Sequence, residues 1–121
     1  MHAWLKTAIP KLASLDIERS VVFFEHLGFE RVAVHPTVAL MRRGEMDLHF
    51  WLAADPAIAH ATGCRVQAGQ AADVDALYAE YLPLGVVHPA DPLGDTPWAT
   101  REFSIIDLDG NVLTFAAGMP A

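Results

Sequence analysis

The chain is 121 residues long, 53% hydrophobic, with a formal net charge of −7 and a single cysteine. That length holds one hydrophobic core and not two independent domains; the apolar content excludes a disordered chain, and the longest apolar runs, such as Val21-Val22-Phe23-Phe24, are too short to span a bilayer. Residues 66–121 carry eight acids against Arg101 alone, which leaves no basic stripe to face phosphates and excludes nucleic acid as a partner.

The first predicted element is a strand around Lys6 to Leu12. Met1 to Lys6 lack the basic start, apolar stretch and cleavage site of a secretory signal, and the lone Cys64 excludes an intrachain disulfide, so the expected location is cytoplasmic. A helix follows from Asp16, its acidic N-cap, to Leu27, with Ile17, Val21, Phe24 and Leu27 at helical spacing and Gly28 as its stop. Three strands come next, Phe29 to Val34, Val38 to Arg42 and Glu45 to Leu52, with turns at His35-Pro36 and Arg43-Gly44. Residues 53–63, rich in alanine, read as a connection.

The order then repeats. A strand near Cys64 to Gln70 leads into a helix from Asp73 to Leu84, which Pro83 ends early. One constant offset maps Asp16 onto Asp73, Phe24 onto Tyr81, Leu27 onto Leu84 and Gly28 onto Gly85, so the chain reads as two copies of one unit, about 1–62 and 63–121, packed into a single domain. Between Val87 and Arg101, Pro89, Pro92, Gly94 and Pro97 prevent regular structure. Trp98 is therefore offered from a loop, either as a binding surface or as a lid folded onto the core. The chain closes with a strand Glu102 to Ile106, a turn Asp107-Leu108-Asp109-Gly110 and a strand Asn111 to Ala116, with Asp109-Gly110 as a hairpin signal.

Three segments carry a family resemblance: Asp16-Ile17-Glu18 through Leu27-Gly28-Phe29, Asp47-Leu48-His49-Phe50-Trp51, and Pro97-Trp98-Ala99-Thr100-Arg101-Glu102-Phe103 running on to Asn111. Together they resemble the vicinal oxygen chelate superfamily of glyoxalases, extradiol dioxygenases and bleomycin resistance proteins, and the last two are most similar to the bleomycin resistance branch. The resemblance implies an α+β fold of two tandem βαβββ modules forming a curved mixed sheet with a concave pocket. It also implies a homodimer that exchanges its first strand near Pro10. The superfamily's enzymes hold a divalent metal at positions that correspond here to Ile9, His49, Val66 and Thr114. Only His49 has a usable donor, so neither a metal nor another cofactor is expected, and no catalytic residue is assigned.

Strand alternation supplies the candidate site. If Leu48 and Phe50 pack under the helix, Asp47, His49 and Trp51 face the concave side. Trp51 and Trp98 offer stacking surface, Asp47 and Glu102 negative charge, and Arg101 completes the ligand-binding candidates. The resemblance places Trp98 in a binding groove. The expected function is a metal-free drug-binding protein that sequesters a bleomycin-like or related cationic, aromatic drug in homodimer grooves and so confers antibiotic resistance. The alternatives are a metal-dependent glyoxalase-like lyase or isomerase, a dioxygenase, or a metabolite-binding module on the same fold.

Overall fold

A computed structural model describes residues 2–120. The first module runs β1 (Lys11–Ser14), α1 (Ile17–His26), β2 (Glu30–Val34), β3 (Val38–Arg43) and β4 (Met46–Leu52), and a short helix α2 (Pro56–His60) leads out of it. The second runs β5 (Gly63–Gln67), α3 (Ala71–Tyr81) with one 3-10 turn at Leu82–Leu84, β6 (Gly94–Asp95), β7 (Thr100–Ile106) and β8 (Val112–Gly118). Each module builds a four-stranded mixed sheet, in the orders β1-β4-β3-β2 and β5-β8-β7-β6. The β1–β4 and β5–β8 pairs are parallel and the rest antiparallel. The architecture is α+β with no closed barrel. Among the described residues no helix is long and apolar enough to cross a membrane.

Helix α1 forms for the reasons its sequence gives. The Asp16 side chain accepts from the Arg19 N–H at 3.1 Å, satisfying one of the donors that a helix start leaves free. Ile17, Val21 and Phe24 bury one face. Gly28, at φ +87°, stops the helix, and a side chain there would collide with the Arg43 guanidinium.

The second module departs from the expected boundaries in an instructive way. Helix α3 starts at Ala71 behind Gln70, and Asp73 sits in the first turn, where its carboxylate accepts from the Gln70 N–H at 3.0 Å. Asp73 is thus a reciprocal capping partner rather than the cap. Pro83 confines the helix to Tyr81, and a 3-10 turn ending on Gly85, at φ +72°, takes up the following residues.

Two further expectations are corrected. The first strand spans Lys11–Ser14 and not Lys6 to Leu12, because Pro10 has no N–H to continue a ladder; its carbonyl accepts from the His49 N–H at 3.0 Å, and residues 2–9 run without a strand partner. The connection at 53–63 contains α2, where Asp55 accepts from the Ala57 N–H at 2.9 Å and Pro56 takes the first helical position.

The two modules share one core. Leu12, Phe24, Leu48 and Phe50 of the first and Val74, Tyr81, Phe103, Leu113 and Phe115 of the second form a single buried cluster, with Tyr81 edge-on to Phe115 at 5.8 Å. Polar ties close the joint at two places. Asp109 accepts from the Leu15 N–H and the Ser20 hydroxyl, both at 3.2 Å, and the Asn111 amide donates to the Ala13 carbonyl at 2.8 Å. At the other end, Arg43 donates to Leu27 O at 2.6 Å and reaches both Glu80 oxygens.

Candidate binding site

Helices α1 and α3 cover one face of each sheet; the opposite face is partly covered by α2 in the first and by the 87–99 segment in the second. On β4, Leu48 and Phe50 are fully buried toward the core, so Asp47, His49 and Trp51 lie on the open face. There His49 neighbours Lys11 and Leu40, and Trp51 neighbours Ala13 and Val38. Trp51 is half-buried against Ala13, Ala53, Ile58 and Ala59. The Asp47 carboxylate accepts from Arg42 Nε at 2.6 Å, and that hydrogen bond holds its pKa below the ordinary aspartate value.

The open face of the second sheet is polar. Thr100, Glu102 and Ser104 alternate along β7, with Arg65 of β5 and Thr114 of β8 beside them. Glu102 accepts from Arg65 Nη2 at 2.6 Å and from the Thr100 hydroxyl at 2.9 Å. Its pKa is lowered, chiefly by the Arg65 hydrogen bond, with Thr100 and the Trp98 indole adding smaller shares. Further along, the Ser104 hydroxyl bonds Asp91 and lies 2.6 Å from the Thr114 hydroxyl. These bonds stitch the 87–99 segment to β7.

Trp98 is 66% exposed and belongs to no buried cluster. It precedes Ala99, whose φ of +64° lies in the left-handed region that disfavours a side chain. The turn is held by Thr96 N–H to Thr100 O at 2.8 Å, Ala99 N–H to Thr96 O at 3.2 Å and Met119 N–H to Ala99 O at 2.9 Å. The lid alternative for Trp98 therefore has no packing to support it.

The six candidates fall into groups. Asp47, His49 and Trp51 share one face of the first sheet, Glu102 belongs to the second, and Trp98 lies on the turn that leads into β7. Arg101 points to the helical side of β7, where it bonds Asp75 at 2.5 Å and Asp95 at 2.8 Å. A crevice of about 770 Å³ is lined by residues 7–10, by Arg43 and Asp47 of the first module and by Arg65 and Tyr81 of the second, among others. Arg65, Thr96 and Thr100 were missed from sequence. The polar alternation at 100, 102 and 104 was the available signal for the β7 members.

The superfamily's metal positions do not fit a metal here. His49 is flanked by Lys11 and Leu40, and Thr114 by Arg65 and Ser104. Val66 packs toward the core, and Ile9 lines the crevice. Among the described residues no three His, Cys, Asp or Glu side chains converge as a ligand set.

A family model described as the Glyoxalase/Bleomycin resistance protein/Dioxygenase superfamily matches residues 8–115. The chain belongs to that superfamily. Within it, the chain falls in the bleomycin resistance branch: it is 31% identical over 126 residues to the bleomycin resistance protein of Geobacillus stearothermophilus, covering 89% of this chain and 93% of that one, and equally to that of Staphylococcus aureus. Among solved structures, the bleomycin-binding protein from bleomycin-producing Streptomyces verticillus, complexed with copper(II)-bleomycin, superposes with a TM-score of 0.85 at 30% identity over 97% of this chain and 99% of that one. The bleomycin resistance determinant encoded on the transposon Tn5 shares the fold, with a TM-score of 0.79 at 22% identity over 94% of this chain and 98% of that one.

Proposed function

We propose that this chain is a cytoplasmic binding protein that sequesters a bleomycin-like molecule, or a related drug with flat rings and a cationic end, without catalysing a reaction. The observation that carries the reading is Trp98, exposed on a tightly bonded turn whose Thr100 hydroxyl bonds Glu102, in a branch whose relatives are bleomycin resistance proteins. An exposed indole supplies a stacking face, and the acidic surplus of residues 66–121 attracts positive charge. A hydroxyl and carboxylate lining in which, among the described residues, no three His, Cys, Asp or Glu side chains converge suits binding rather than metal catalysis.

The reading includes a homodimer whose first segments are exchanged near Pro10. Residues 2–9 have no strand partner in their own chain, and Trp4 and Leu5 on that arm are 89% and 87% exposed. A two-fold partner would give that arm a strand to pair with and cover its apolar side chains.

Thermal unfolding with metal-free and copper(II)-loaded bleomycin tests the function. Ligand at a hundred times its dissociation constant stabilises by about 2.7 kcal/mol, so a rise in melting temperature that saturates with drug is the expected result. No shift with either form up to millimolar drug overturns the reading.

A further inference from the structure

Among the described residues Trp98 joins no hydrophobic cluster and its side chain stays largely exposed, yet the residues beneath it form a continuous bonded chain. Arg65 Nη2 donates to Glu102 Oε2 at 2.6 Å, and the Thr100 hydroxyl donates to the same oxygen at 2.9 Å. That hydroxyl lies 2.7 Å from the Thr96 hydroxyl, which also accepts from the Thr100 N–H at 3.2 Å. The Thr96–Thr100 turn so held keeps Ala99 at a left-handed φ that an alanine does not adopt unaided. The Trp98 indole sits on this turn, two residues before Thr100.

We infer that Arg65 and Glu102 are positioning residues for Trp98: through Thr100 and Thr96 they lock the turn, so that the exposed indole stands as a pre-formed wall for a flat ring of the ligand. The inference deepens the binding-site reading above and rests on it for the ligand. An aromatic wall ordered before binding does not lose rotamer freedom when the ligand arrives, and an indole on a loose turn does. Arg65 lies on β5, remote in sequence from the Trp98 loop. It acts through Glu102 without touching the ring.

The test uses a Trp4→Phe/Trp51→Phe chain, in which Trp98 is the sole indole, and reads its time-resolved fluorescence anisotropy without ligand and then its bleomycin affinity. Arg65→Met and Glu102→Gln are expected to enlarge the fast indole motion and weaken bleomycin binding about tenfold, chiefly through faster dissociation, while circular dichroism shows the fold retained. Arg65→Lys, which keeps a donor and a charge, is expected to restore most of both signals. Unchanged indole motion in both variants overturns the inference, as does a loss that Arg65→Lys fails to relieve. If one variant does not fold, the other decides. The ligand-free anisotropy settles the positioning role even where bleomycin fails to bind the unsubstituted chain, an outcome that overturns the ligand reading instead.

Discussion

The Tyr81 hydroxyl, at the end of α3, donates a 2.6 Å hydrogen bond to the carbonyl of Leu27, at the end of α1. Arg43 donates to the same carbonyl, lies 3.1 Å from the Tyr81 oxygen and holds Glu80 with two bonds. One carbonyl thus serves as the meeting point of both modules. Because it has two donors, either can be lost without stranding it. Tyr81→Phe is expected to cost about 1 kcal/mol in urea unfolding, and Arg43→Met about 1–2 kcal/mol, since its Glu80 pair is partly exposed. The double variant leaves the carbonyl unpaired and should cost more than the sum, which a double-mutant cycle measures.

The same tyrosine makes stability fall at alkaline pH. Burial pushes the Tyr81 phenol from 10.0 up to about 12, and burial pushes the Cys64 thiol from 9.0 up to about 11. The unfolded chain releases each proton before the folded one does, so stability is full below pH 9 and declines as pH rises toward 12. Cys64→Ala should remove the earlier part of the decline and Tyr81→Phe the later part, read from unfolding midpoints across that range.

Trp98→Ala should weaken binding of bleomycin by roughly 1–3 kcal/mol, the range for losing one aromatic anchor. An indole 66% exposed contributes little packing, so the melting temperature should stay within a few degrees. Raising ionic strength should slow association of a cationic drug with the acidic second half, because exposed charges are screened beyond about 8 Å at physiological salt. Stopped-flow fluorescence checks both effects.

Light scattering should give about twice the 13.2 kDa of one chain at micromolar concentration. Removing residues 2–9 deletes Trp4 and Leu5 and should shift the protein toward monomer while leaving its circular dichroism intact, because that arm adds no strand to its own sheets. A truncated chain that remains dimeric would place the interface elsewhere.

Where local chemistry decided the outcome, the sequence was readable. Asp16 and the spacing of Ile17, Val21 and Phe24 suffice for α1, and the alternation of Leu48 and Phe50 with Asp47, His49 and Trp51 is realised on β4. Asp55-Pro56 carried a cap and a first-turn proline, yet so short a helix left no periodicity to find. Asp73 misled because an acid three residues into a helix resembles a cap when the true cap is a glutamine. Arg101 could not share a face with Glu102, since the period of two that sends Glu102 outward sends Arg101 toward α3. The turn beneath Trp98 was hidden because alanine gives no sign of a left-handed backbone.

The common core has a bearing on how the chain can be divided. Residues 1–62 alone would lose the Tyr81 donor to Leu27 O, the Asn111 donor to Ala13 O and the Asp109 acceptor of Ser20, and the second half would lose the same ties in reverse. Each half keeps its own aromatic pairs, Phe24 on Phe50 and Phe103 on Phe115, but loses its polar ties, so the repeat confers less modular tolerance than a solenoid array. Split in the α2–β5 connection, the two fragments should be less stable apart than together and regain native ellipticity when mixed, which would make the pair a reporter whose reassembly depends on proximity.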